Sequence, residues 1–222
     1  MPTQPLTYSR RRELASRRRE NAVIRAAGAC FSQYGFKKTT TAEIARRAGV
    51  SKGLVFHFHG DKTSLFRAVI EDSLEKWTLL SDYRAYETGG SALAELESLF
   101  LASFEYVEQH PILSLFTSRE EELAAIYKEE YRRKNVSWRR RIRKTLKRGI
   151  AQAEISPDID IARVAIIFHE LQTSLIKSVP LPGTQTSFDQ STVALAIRLL
   201  LRGIALNPGD IAPSLVTRGR QG

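Results

Sequence analysis

The chain has 222 residues, long enough for one medium domain or two small ones, and 42% of them are hydrophobic, enough to bury a core. The formal net charge is +10 and it is lopsided: residues 1–60 hold twelve Lys/Arg against Glu13, Glu20 and Glu43, a net of +9, while the rest of the chain nets +1. A basic module joined to a near-neutral one implies a polyanionic partner, and the single cysteine, Cys30, excludes an internal disulfide and a cysteine zinc cluster and fits a reducing cytoplasm.

The residues read as helical nearly throughout, with no convincing alternation of a strand. From Arg10 to Tyr34, the apolar positions Val23, Ala27, Cys30, Phe31 and Tyr34 recur at helical spacing, and Gly35 is expected to end that helix. Thr40 and Glu43 form T-x-x-E, a capping box in which the threonine accepts the backbone N–H three residues on and the glutamate reaches back. The helix it opens is short, with Ile44, Ala45 and Ala48 inside, and Gly49 breaks it. Ser51 caps the next, over 52–58, and Asp61 one over 62–80.

A loop is expected over 82–91, then a helix over 92–109 broken at His110-Pro111, a short piece over 112–117, and a long helix over 119–153. Ser156-Pro157-Asp158 reads as the cap of a helix running to Ser178, and 180–183 as a loop. A last helix spans 189–206, capped from within Ser187 to Gln190, before a Pro- and Gly-bearing tail. The most apolar run, 193–201, carries Arg198 and falls short of the roughly 18 residues of a membrane span. No apolar segment follows the basic start, so no secretory signal and no membrane partner is expected.

The stretch Gly49–Phe66 is short, basic, aromatic and histidine-bearing. A phosphate-cradling loop needs Gly directly before Lys-Ser/Thr, and Gly60 is followed by Asp61. His57 and His59, two apart on a helix, point to opposite sides, and His169-Glu170 lacks its second histidine because Thr173 stands there. No metal and no cofactor is therefore expected. What fits is a helix-turn-helix: a capped helix over 41–48, a turn at Gly49, and a second helix from Ser51 whose N-terminus enters the major groove of duplex DNA. Arg17, Arg18, Arg19 and Lys62 flank it as phosphate neutralisers.

TTTAEIARRAGVSKGLVFHFHGDKTSLF resembles the N-terminal signature of TetR-family transcriptional regulators. The matching residues are Thr39-Thr40, Ile44-Ala45, Ala48-Gly49-Val50-Ser51, Gly53, Phe56, Lys62 and Leu65, with Ile24, Ala27, Phe31, Gly35 and Phe36 upstream. The close match covers 20–66. The resemblance implies an all-α dimer of about nine helices: a three-helix DNA-binding domain, 1–62, and a ligand-binding and dimerisation domain, 63–222. It implies phosphate contacts from Thr40 and Lys62 and base contacts from Lys52, Gly53 and Leu54, with Ser51, Phe56 and His57 on the same interface. Phe56 departs from the usual tyrosine and lacks its hydroxyl. His59 stands where the family prefers phenylalanine, and is expected to pack like one with a nitrogen hydrogen-bonded. The basic extension Arg10–Arg19 is either a longer helix or a minor-groove arm.

In the body, 159–178 and 189–206 carry more apolar residues than one core face needs. The surplus implies either a two-fold interface or a thick single-chain core; the interface is assigned to Val164, Phe168, Leu171, Leu175, Val193, Ile197, Leu200 and Leu201. Trp77, Phe100, Phe104, Tyr127 and Phe168 are candidate lining for a cavity holding a small-molecule effector, or plain core. Arg132 to Arg148 is a second cationic run with no acid in it, read either as a solvated face or as the seat of an anionic inducer. The function expected is a ligand-responsive repressor that binds a palindromic operator as a homodimer. The rivals are a regulator switched by a protein partner and a helical enzyme, against which stands the absence of G-x-S-x-G and G-x-G-x-x-G.

Overall fold

A computed structural model describes residues 7–110, 112–113, 121–177 and 190–210. Among them are eight α-helices and one isolated antiparallel bridge, Ile155 with Ala205. The chain divides into two compact units, Met1–Ser73 and Leu74–Gly222. The expected loop at 180–183, the cap within Ser187 to Gln190, Pro111 and most of the tail lie outside the described residues.

The first unit contains α1 (Tyr8–Lys38), α2 (Thr41–Ala48), α3 (Lys52–His59) and the start of α4 (Lys62–Tyr86). The basic extension is helical from Tyr8, so α1 begins before the apolar pattern does. Gly35 sits inside α1 at φ 76°, ψ 166°, which breaks the regular helix where expected. The core is Val23, Ala27, Cys30 and Phe31 of α1, Ile44 and Ala45 of α2, Val55 of α3, and Leu65, Phe66 and Ile70 of α4. Phe31, Phe36 and Phe66 meet as a triangle with centroids 5.4–5.5 Å apart, in tilted and edge-on contacts that suit the ring quadrupoles. Buried Thr39 donates to the Gly35 carbonyl at 2.7 Å or that of Cys30 at 3.1 Å, closing the end of α1.

The second unit contains the remainder of α4, α5 (Ala92–Gln109), α6 (Glu121–Ala151), α7 (Ile161–Lys177) and α8 (Gln190–Ile204). Its interior holds a satisfied polar chain. The indole of Trp77 and the amide of Gln172 both donate to Ser103 Oγ, at 3.0 and 2.8 Å, and that hydroxyl donates to the Leu99 carbonyl at 2.7 Å. The indole of Trp138 donates to Gln172 Oε1 at 2.7 Å, and the two indoles lie 4.8 Å apart. Every member has a partner, so the network orients α4, α5, α6 and α7 without leaving a buried orphan. Behind it, Ser156 N–H donates to the Ile204 carbonyl and Leu206 N–H to the Glu154 carbonyl, both at 2.9 Å. These bonds tie the ends of α6 and α8.

Three local expectations are corrected. α4 runs to Tyr86, because Trp77 and Ser81 are buried and draw its later turns into the body, so the loop at 82–91 starts late. α7 opens at Ile161, capped by Asp160, whose Oδ1 accepts the Ala162 and Arg163 N–H groups at 3.0 Å each, and not by Ser156-Pro157-Asp158. Only half of the capping box forms. Thr40 Oγ1 accepts the Glu43 N–H at 3.2 Å, but the Glu43 carboxylate grips Arg46 through two bonds, 3.0 and 2.7 Å, because a guanidinium one turn away is a stronger donor than a backbone amide.

Candidate nucleic-acid interface

The turn between α2 and α3 is built by backbone bonds that only a left-handed residue permits. Gly49 has φ 68°, ψ 33°, its N–H donates to the Arg46 carbonyl at 3.3 Å, and the Val50 N–H donates to that of Ala45 at 3.0 Å. This is a Schellman ending, and it reverses the chain in one residue. Ser51 then caps α3 by accepting the Leu54 N–H at 3.2 Å. Val55 is buried, which presses one face of α3 into the unit and leaves Ser51, Lys52, Gly53, Phe56 and His57 exposed, with Leu54 half-buried.

On that outer face the Lys52 ammonium lies 5.8 Å from the centroid of the Phe56 ring, a reach at which cation and ring face attract. Gly53 has no atom within 4 Å of the place where a Cβ would stand, so nothing in the protein requires glycine there. Thr40, Arg17, Arg18 and Arg19 are exposed as well, and Arg17 pairs with Glu13 at 2.8 Å. Lys62, expected to hold a phosphate, directs its ammonium inward instead, at the carbonyls of Phe36, Lys37 and Thr39. His59 is half-buried, with its ring edge-on to that of its chain neighbour Phe58 at 6.3 Å. Its Nε2 has no partner among the protein's own groups, and burial pulls its pKa below the ordinary histidine value, partly offset by the charge of Glu20.

In the second unit, Trp77, Phe100, Phe104, Tyr127 and Phe168 are all buried. Phe100 meets Phe168 edge-on at 5.5 Å, and desolvation raises the Tyr127 phenol far above its usual range. The interface assignment is corrected. Phe168, Leu175, Val193, Ile197 and Leu201 are buried inside the protomer and leave no surface for a partner, while Val164, Leu171 and Leu200 are half-buried. Among the described residues, the large apolar side chains that α7 and α8 expose are Ile166, Ile167, Leu195 and Leu199, with Leu199 62% accessible. A helical wheel anchored on Arg163 and Glu170, charged residues that cannot enter a core unpaired, would have found Ile166 and Ile167. Arg141 and Arg148 converge on Glu95, at 3.4 and 2.7 Å, so part of the second cationic run is an internal ion network.

Residues 23–69 match the family described as bacterial regulatory proteins, tetR family. The HTH-type transcriptional repressor KstR2 of Mycolicibacterium smegmatis is 28% identical over 198 residues, 88% of this chain and 94% of the relative. Residues 23–69 thus carry the tetR-family signature. Two solved TetR-fold structures agree with its architecture. The ketosteroid transcriptional regulator KstR2 of Mycobacterium tuberculosis superposes with a TM-score of 0.59 at 23% identity, over 85% of this chain and 95% of that one. FadR of Bacillus subtilis, solved in complex with stearoyl-CoA, superposes with a TM-score of 0.64 at 17% identity, over 83% and 99%. At such identities the likeness concerns the fold. No helix among the described residues is long and apolar enough to cross a membrane.

Proposed function

We propose that this TetR-family regulator is a ligand-responsive repressor that binds a palindromic operator as a homodimer and is released from it by a small-molecule inducer. The observation that carries the DNA reading is the outer face of α3. A glycine inside an eight-residue helix costs about 1 kcal/mol relative to alanine, and at Gly53 no packing contact in the chain explains it. A groove wall pressed against the helix does, because only glycine lets backbone approach bases that closely.

In this reading residues 1–62 carry the DNA and 63–222 carry dimerisation and effector. Lys52, Gly53 and Leu54 face bases, His57 and Phe56 border them, and Thr40 and Ser51 donate to phosphates from the helix starts. Arg17, Arg18 and Arg19 extend the contact along the backbone from α1. Lys62 supports the site from within. The dimer face is Ile166, Ile167, Leu195 and Leu199, whose exposure needs cover. Two recognition helices about 34–36 Å apart would then read half-sites one turn apart. Such a regulator acts in the cytoplasm and needs no catalytic residue. FadR is solved with stearoyl-CoA and KstR2 is described as a ketosteroid regulator, so acyl-CoA and ketosteroid compounds are the first effectors to assay.

The test is anisotropy of labelled DNA from the gene's own upstream region, with unrelated duplex as competitor. A discrete palindromic footprint, weakened about ten-fold or more by Lys52→Ala, is expected. Equal affinity for the unrelated duplex would remove the operator reading.

A further inference from the structure

From Tyr131 to its end at Ala151, α6 carries no acidic residue. Some of its cations are answered. Arg132 and Arg133 pair with Glu129 and Glu130 on the same helix, and Arg141 and Arg148 with Glu95, with Asp82 also on Arg141. Arg139, Arg140, Arg143, Lys144 and Lys147 are exposed, and none has a carboxylate partner among the described residues. Each stands three or four residues from the next, so the five form one continuous face about 12 Å long. We propose that this face binds the phosphate backbone of duplex DNA without reading its sequence, in addition to the contact made by α3.

Local stability does not account for these charges. Like charges three and four apart on a helix repel. The helix dipole favours cations in the last turn, and the basic residue there is Arg148. Packing does not account for them either, because Trp138, Ile142, Thr145 and Leu146 turn the opposite side of α6 into the protomer. A two-fold contact sets a patch against its own copy, and five unpaired cations set against five repel, so a homodimer leaves this face open. What answers it is an outside polyanion. Duplex DNA carries one negative charge per about 1.7 Å of its axis, so about 12 Å of duplex presents about seven charges to the five on the helix. The side chains between the five are buried, except the half-buried Arg141, so no exposed ring or aliphatic group interrupts the charge. Single strands are held by stacking on aromatic rings, bilayer surfaces by an apolar wedge and protein partners by aromatic anchors. A duplex needs only cations on its phosphates, and such contacts position it without specifying bases.

The contact requires neither an operator nor an inducer, so it is measured on the full-length protein with unrelated duplex across a salt titration. Replacing all five cations with Gln should weaken binding about ten-fold or more at low salt, and should shallow the slope by about 0.9 for each phosphate given up. The melting temperature should hold or rise, since the five are exposed and repel one another. A control variant loses five exposed cations elsewhere in the body, Lys76, Lys128, Arg132, Arg163 and Arg202, again to Gln. It should keep most of the slope. Amine acetylation adds position: duplex should protect Lys144 and Lys147 and leave Lys128, further up the same helix, reactive. The proposal is overturned if the five-fold variant keeps the wild-type slope, if the control loses as much, which would leave net charge alone as the cause, or if Lys144 and Lys147 react equally with and without duplex. It is also overturned if vesicles of phosphatidylserine and phosphatidylcholine, at equal phosphate concentration, bind the wild type more tightly than duplex does and release the variant. Operator affinity of the wild type, run in the same buffer, reports separately on the regulatory reading.

Discussion

Lys62 holds Phe36 in two ways: its Nζ donates to the Phe36 carbonyl at 3.0 Å and stands 4.4 Å from the centroid of the Phe36 ring. The Thr39 and Lys37 carbonyls, at 3.2 and 3.5 Å, accept its other protons. One ammonium thus satisfies the carbonyls that the end of α1 leaves without intrahelical partners and fixes the first turn of α4 against them. Lys62→Met, which keeps the stem and loses the donors, should cost about 1–3 kcal/mol of stability, read by thermal denaturation. The slope of operator affinity against salt should stay the same, because this ammonium neutralises no phosphate. A slope shallower by about 0.9 would return Lys62 to the phosphates.

The exposed arginines of α1 should behave in the opposite way. Replacing Arg17, Arg18 and Arg19 with Gln leaves the fold intact, since all three side chains stand in solvent and the pair from Arg17 to Glu13 lies on the surface. Affinity should fall alike for operator and unrelated duplex, and the salt slope should shallow by about 0.9 for each phosphate that is no longer neutralised. Loss confined to the operator would mean that these residues read sequence.

On the body, Ile167→Glu and Leu199→Glu should give monomers with full helicity by sedimentation and circular dichroism, since both side chains are more than half exposed. Ile197→Ala should instead cost about 2–5 kcal/mol of stability and leave the oligomeric state of the folded fraction unchanged, because Ile197 is fully buried in the protomer. Dimers surviving both glutamates would refute this face.

His59 makes the first unit sensitive to mild acid. Its folded pKa lies below the ordinary histidine value because burial disfavours the imidazolium. The unfolded chain therefore takes up the proton first. The stability from this site is complete above about pH 6.5 and falls as pH drops through that value toward the folded pKa. His59→Phe should flatten that part of the stability–pH curve, and should raise stability at neutral pH by removing a buried nitrogen without a protein partner. An unchanged slope between about pH 5 and 7 would mean that another group carries it.

Gly49→Ala should cost about 1–2 kcal/mol through the left-handed backbone alone, since no atom lies within 4 Å of the new methyl. Gly53→Ala should keep or raise the melting temperature while weakening operator binding. A variant at 53 that binds DNA normally would remove the main argument for close groove approach.

The residues by themselves determined the helix-turn-helix. Its signals are local: Thr40 and Ser51 reach backbone three residues away, and Gly49 turns the chain where it stands. No distant partner is needed to read such features, which is why the boundaries of α2 agree with the spacing of its apolar residues. Only the tertiary structure decided which long-range partner each charged or apolar side chain takes. Lys62 chose carbonyls 23 to 26 residues back, and Glu95 chose guanidiniums 46 and 53 residues ahead. Likewise α7 and α8 carry apolar residues on more than one face, so composition could not say whether Ile167 or Phe168 turns inward. Packing against α5 and α6 selected Phe168, because its ring fills the space beside Phe100, and left Ile167 exposed.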